Sequence, residues 1–498
     1  MQGLAFIDWA LIALYALGTL GLGYYYSRKQ SSTEEYFTGG GHMNSTLIGF
    51  SLFATLLCTI SYLSMPGEAI GKGPTGLYSL FALPIIYLVV GHLLIPVYMR
   101  RRVTSTYELL EKRLGLGIRL LGACMFIVLR LVWMSLLVYL SAQAMAVMLG
   151  LDAKWIPAIA LCTGLVAVTY TSLGGLRAVV ITDALQTVLM LCGALFVILL
   201  VTLDYGNFSW VPTTWHANWD RQPFFSFDPG TRMTVVGLII NSLTWYICTS
   251  GGDQTVVQRF MATADAAAAR RALRTQLLVG ACIGTALTLV GFALLGYFET
   301  HAQSLPSGID LRVNADKIFP HFIAFHLPPG VSGLVVAAMF AAAMSSIDSG
   351  VNSISAVVLS DFLDRFGRRP ATEQKQVRLA RLLAFGIGTV AVIGSSFMGN
   401  VPGNITAITA KTTNLLVTPI FALFFFALFV PFARPAGVIV GAVCGTTTAA
   451  LIAFSGPIFG MDPTTGLDPV SFMWIGPTAL LVNLATGTLA SLLLRRYK

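Results

Sequence analysis

The stretch Ala341 to Ser353, AAAMSSIDSGVNS, sets small and hydroxyl side chains around one carboxylate, Asp348, inside an otherwise apolar segment. Hydrocarbon offers no water to such groups, so they must face protein, a cavity or an ion. Hydroxyls beside a carboxylate suit a small hard cation, which binds oxygen best. At helical spacing Ala342, Ser345, Ser346 and Ser349 share one broad face. A second carboxylate, Asp183, lies a few residues into another apolar segment after Gly174-Gly175. A lone charge there costs at least about 3 kcal/mol unless it is protonated, paired or bound to a cation. Two carboxylates near one site would hold a cation more tightly or share a proton. Arg130 and Lys411 also stand within apolar segments, whereas almost every other Lys or Arg sits in a loop. A buried guanidinium or ammonium needs an anion. For Arg130 that anion is either an internal carboxylate or a substrate; Lys411 either meets a substrate or snorkels to the interface.

The elements that must position these groups are membrane helices. Of 498 residues 56% are hydrophobic and only 11% charged, and the mean hydropathy is +0.76. A soluble domain carries roughly 25% charged residues. About thirteen apolar segments are long enough to span a bilayer. The net charge of +9 does not imply a nucleic-acid partner, because the clusters Arg28-Lys29, Arg100-Arg101-Arg102, Arg270-Arg271 and Arg365 to Arg381 fall on one side. The positive-inside rule then places the amino terminus outside and the carboxyl terminus in the cytoplasm of a multi-pass cell-membrane protein. The first apolar segment carries Asp8 in place of a basic n-region and is expected to remain as a helix. The seven cysteines lie in separate apolar segments without CxxC spacing, as small buried hydrophobes. The aromatic-rich loop 204–231 suits a cap at the membrane interface.

Setting aside the first segment and the last two leaves ten, divisible as five plus five. An odd number per set makes the second set run in the opposite sense, an inverted repeat. The expected division is an amino-terminal helix and loop (1–44), a first repeat (45–203), an external loop (204–231), a second repeat (232–431) and peripheral carboxyl-terminal helices (432–498). The leading helices of the two sets, 45–70 and 232–251, each carry an expected break, at Met65-Pro66-Gly67 and at Gly251-Gly252-Asp253. Broken helices expose carbonyls and helix ends that bind ions and substrate near the midplane.

Five strings in order resemble the sodium:solute symporters: EEYFTGGG from Glu34, TYELLEKRLG from Thr106, GGLRAVVITDALQ from Gly174, DQTVVQRFMAT from Asp253 and MSSIDSGVNS from Met344. The resemblance covers essentially the whole chain. It implies an all-α polytopic membrane protein of leucine-transporter type and alternating access driven by a sodium gradient. It implies a sodium site formed by the carbonyls of Ala54, Leu57 and Ala342 with the hydroxyls of Ser345 and Ser346. A second sodium at Asp183 with Ser345 and Ser349 is implied by some members, with Asp348 standing where sugar and sialic-acid members have Ser or Thr. At pocket positions the resemblance sets Ser61, Tyr246 and Thr249 where sugar members have a Gln, an Asn and a Tyr, and Cys58, Ser61, Leu80 and Trp133 where sialic-acid members have Ser, Thr, Gln and Arg, with Arg130 one turn away.

With Arg130 and Lys411, these residues point to import of a carboxylate-bearing solute, a monocarboxylate or acidic sugar, with sodium. Neutral sugars or a proline-like amino acid are the alternative cargo. A membrane sensor with a separate signalling partner is the alternative of another class. No acid–base pair, metal cluster or activated nucleophile supports an enzyme; the six histidines are scattered. Sodium, the solute and the bilayer are the expected partners, with a monomer as the expected assembly.

Overall fold

The computed structural model describes residues 4–28, 32–56, 59–101, 103–217, 219–220, 223–305, 310–311, 314–400, 405–461 and 467–496. Among these there is no strand. The helices used below are α1 (Phe6–Ser27), α2 (Ser45–Leu56), α3 (Thr59–Lys72), the composite span α4 (Pro74–Met99), α5 (Glu108–Leu114), α6 (Leu116–Met148), α7 (Ile156–Tyr205), α8 (Val235–Gly252), α9 (Gln254–Met261), α10 (Ala266–Thr300), α11 (Ala315–Phe325), α12 (Val331–Val357), α13 (Glu373–Ser395), α14 (Ile405–Phe429), α15 (Pro435–Ala453) and α16 (Ile475–Arg496).

Eleven helices among the described residues are long and apolar enough to cross a membrane, and the bent pair α2–α3 adds a twelfth. The 50 residues of α7 reach about 75 Å, more than twice a hydrocarbon core of about 30 Å. Its halves are therefore two spans, which restores the thirteen segments read from sequence. The division falls at Gly175, whose φ of 59° and ψ of −172° lie outside the helical region. That φ is open to glycine and strained for any residue with a Cβ.

The two leading helices break differently. The α2–α3 bend is 61° and lies between Leu56 and Ser61, so the expectation of a break at Met65-Pro66-Gly67 is corrected: Pro66 is inside α3. Gly67 serves packing instead, since a Cβ there would meet Asp316 of α11 at 2.5 Å. In the second leading helix the break is where the glycines stand. Helix α8 ends at Gly252, Asp253 is extended, and its carboxylate caps α9 by accepting from the Thr255 amide at 2.8 Å.

A central bundle packs α2 against α7 and α10, α12 against α6 and α7, and α8 against α14. The first helix is peripheral yet anchored. Buried Asp8 accepts from the Gly330 and Gly333 amides at 2.7 Å each, tying α1 to the start of α12. Helices α15 and α16 form a separate pair, joined where Gly437, Gly441 and Gly445 sit against Asn483 and Ser491. One end of the bundle carries the aromatic loop after α7; the other carries the basic clusters around Arg100 and Arg365.

Candidate functional site

Helix α12 buries Ser345, Ser346, Asp348 and Ser349 together, and their spacing aims them at different neighbours. The Ser346 hydroxyl donates to the Thr55 carbonyl at the end of α2, 3.5 Å away. Thr55 Oγ1 and Ser349 Oγ lie 3.0 Å apart. Ala54 precedes Thr55 in the buried end of α2, and Ala342 belongs to α12. Leu57 and Cys58 lie outside the described residues. Of the expected sodium set, the structure brings Ser346 against the end of α2, next to Ala54.

Ser345 turns elsewhere. Its hydroxyl and that of Ser51 both donate to the Asp183 carboxylate. The same carboxylate meets Arg259 of α9, with Nη2 at 3.5 Å. Arg259 also donates from Nε to Ser51 Oγ at 2.8 Å, from Nη1 to the Thr255 carbonyl at 3.0 Å, and from Nη2 to Ser349. All five side chains are buried, so one closed polar network joins α2, α7, α9 and α12. Asp183 accepts from Ser345 directly and is linked to Ser349 through Arg259, so a resident guanidinium occupies this network. Asp348 does not share it. Its Oδ1 accepts from Thr171 and its Oδ2 has no partner.

Trp245 of α8 stands among three contiguous spaces. One, about 320 Å³, is lined by Glu68, Thr75, Met233, Asn414 and Phe472 and leads towards the aromatic end. A second, about 220 Å³, is lined by Phe53, Ser61, Leu80, Tyr246 and Gln276. The third, about 30 Å³, lies between Thr55, Arg130, Trp133, Thr249 and Asp253. Six pocket positions expected from sequence, Ser61, Leu80, Arg130, Trp133, Tyr246 and Thr249, therefore line these spaces.

Two expectations need correction. Lys411 does not reach them: its Nζ is 2.6 Å from Asp468 and it lines none of the three. The carbonyls at the α8–α9 break are already hydrogen-bonded instead of bare: Tyr98 donates to that of Gly251 and Tyr107 to that of Gly252, the latter at 3.2 Å. Arg130 pairs with Asp253 while its Nε stays buried without a partner. Sequence reasoning missed the roles of Arg259 and Asp253, both inside a string it had quoted. Their signal was a charge of each sign in a polar turn between membrane segments.

The sequence profile of the sodium:solute symporter family matches residues 36–445. The chain belongs to the sodium:solute symporter family. As a member of that family it is a multi-pass membrane transporter that couples solute to sodium, and it is not an enzyme. It is 30% identical over 459 residues to the sodium/sialic acid symporter NanT of Aliivibrio fischeri, covering 90% of this chain and 88% of that one. It is 25% identical over 484 residues to the sodium-coupled monocarboxylate transporter 1 of Xenopus laevis, covering 96% and 76%. A solved structure of a Na+-coupled sialic acid symporter in a substrate-bound outward-open state superposes with a TM-score of 0.80 at 26% identity, over 98% of each chain. The symporter thus has the leucine-transporter-type fold, with sodium as a transported substrate.

Proposed function

We propose that this symporter imports a small carboxylate-bearing solute by alternating access, with the aromatic end facing outside and the basic end in the cytoplasm. One observation carries the solute class. Arg130 lines the space beneath Trp245 with its Nε buried and unpartnered. A substrate carboxylate supplies the acceptor that this nitrogen lacks. The Arg130–Asp253 pair is neutral by itself, so one carboxylate and one sodium keep the loaded site neutral, the least costly state for a group of charges crossing a membrane. The named relatives support the class, since sialic acids and monocarboxylates each bear a carboxylate. Asp253 also lines the space, which favours a zwitterion as the second reading, its ammonium on Asp253.

Sodium is proposed to bind the carbonyls of Ala54, Leu57 and Ala342 with the Ser345 and Ser346 hydroxyls. Coupling follows from Thr55, which lines the Arg130 space and also meets Ser346 and Ser349 of α12. Ordering α2 around sodium shapes the pocket, and the effect must be reciprocal. A second sodium at Asp183 would have to displace Arg259.

The test is thermal stabilisation of the purified protein by carboxylates, amino acids and neutral sugars, each in sodium and in potassium. A shift with carboxylates that needs sodium is expected. A sodium-dependent shift with a neutral sugar alone would discard the role given to Arg130. For Ser346→Ala we expect apparent sodium affinity to fall about tenfold, the scale of one lost oxygen contact; unchanged sodium dependence of uptake would move the ion elsewhere.

A further inference from the structure

We propose that Gln276 of α10 is a specificity-determining residue that selects carboxylates carrying an amide or urea group at the far end of an apolar chain. The proposal rests on the carboxylate reading of Arg130 given above.

Gln276 is 3% exposed, and both its Oε1 and Nε2 are buried without a hydrogen-bond partner. Buried side-chain amides are normally satisfied, so two free ends on one residue need an occupant. Both ends belong to a side chain lining the 220 Å³ space, whose other walls are largely apolar: Phe53, Leu56, Leu77, Leu80 and Trp245. Along α10 the next positions on the same face are Gly280 and Gly284, with Ala281 between them. That wall carries no side chain at Gly280 and Gly284 over two turns, about 12 Å by helical rise, and forms a trough on which Phe53 and Met65 pack. Its base is Gln276, and its far part joins the space that leads to the aromatic end through Ser61, Met65 and Gly76.

The trough also meets the Arg130 space, since Leu56 and Trp245 line both. A solute anchored by its carboxylate at Arg130 passes its chain between those two side chains towards Gln276. An all-carbon end there would leave the glutamine amide unpaired. A group offering a donor and an acceptor on one edge, a carboxamide or urea, satisfies both of its ends. The geometry thus discriminates by polarity in an apolar setting, the kind of discrimination that binding sites achieve most strongly.

The matched probes are hexanedioic acid monoamide and 6-methylheptanoate, which share a carboxylate and spacer and differ only in a carboxamide against an isopropyl end. Affinities are read by calorimetry in sodium, on the full-length protein and on Gln276→Leu. In the wild type the amide should bind about tenfold more tightly or better, although its isostere is the more hydrophobic. In Gln276→Leu that preference should vanish or reverse, with the isostere bound at least as well as before. Equal wild-type affinities would overturn the role of Gln276 and leave the carboxylate reading intact, and this comparison does not depend on the variant folding. A preference that survives in Gln276→Leu would also overturn it. Binding of neither probe, with sodium-dependent binding of a neutral sugar, would overturn both.

Discussion

Among the described residues Arg259 is the largest side chain that the fold buries completely, and Asp183 alone matches its charge at ion-pair distance. Burying two charges is repaid only by good geometry and added hydrogen bonds, while removing one partner leaves the other exposed to the full penalty. Arg259→Met should therefore lower stability by about 3–5 kcal/mol, and Asp183→Asn with Arg259→Met should recover most of it. Thermal denaturation of the four proteins checks the cycle. Arg259→Met also exposes the cation capacity of Asp183: sodium should stabilise this variant more than potassium does, by taking the guanidinium's place. Equal effects of the two ions in Arg259→Met would remove Asp183 from any sodium site. At this scale the buried hydroxyl and carboxylate groups were readable because Ser and Asp are rare in apolar helices. The charge partners were not, because Arg130–Asp253 and Arg259–Asp183 join residues 123 and 76 positions apart, and only packing decides which opposite charges meet.

Among the elements, α7 shows how one residue makes two helices from one apolar run. Gly175→Ala forces a Cβ into a φ of 59° with an extended ψ of −172° and should cost about 1–3 kcal/mol, visible as a lower melting temperature with spectra unchanged. A melting temperature equal to wild type would mean the α7 break relaxes without strain. This break was legible from its glycine pair, as was the one at Gly251-Gly252. The α2–α3 bend was not, since the residues around Leu56 include no Gly or Pro. Proline signals a break only where its missing N–H and ring disturb a helix, and Pro66 is instead accommodated in α3. Helix α11 carries a different device. His321 and His326 have rings 5.5 Å apart, packed on Phe325 and Phe322, with both Nε2 atoms buried and unpartnered. Burial lowers the pKa of each below the usual 6.5, and His321 lowers that of His326 further. Neutral rings thus contribute stability above the ordinary histidine value, lost as pH falls through the lower folded value. Melting temperature should drop between about pH 7 and pH 5, and His321→Phe with His326→Phe should flatten that slope. An unchanged slope would assign the pH response to other groups.

For the whole molecule, the arrangement is a cavity reaching the aromatic end and a fastened basic end. At that end Arg119 meets Asp361 at 2.6 Å and Glu111 at 2.7 Å, Arg365 meets Glu111 at 2.8 Å, and Ser105 donates to Asp361 at 2.5 Å. These bonds tie α5 and the start of α6 to the wider π turn Val358–Asp364 that continues α12. Hydrogen bonds from Arg365 first, and from Arg119 next, hold the Glu111 carboxyl below its usual 4.5, so it stays ionised at cellular pH and its contribution is lost only in stronger acid. Where release at this end breaks the cluster, its bonds count towards one state of the cycle and not the other. Asp361→Asn leaves Arg119 partly buried with a weaker acceptor. A loss of about 3 kcal/mol in one state shifts a two-state equilibrium by about 150-fold. Spin labels on α5 and at Arg365 should then show a longer distance in Asp361→Asn than in wild type without ligands, and sodium should restore the short one by favouring the fastened state. Solute affinity measured from the aromatic side should fall in parallel, because the competent state is less populated. Distances and affinities equal to wild type would make the cluster a passive part of the scaffold, and the motion that opens the basic end would then have to pivot around it, with α5 and α12 moving as one body.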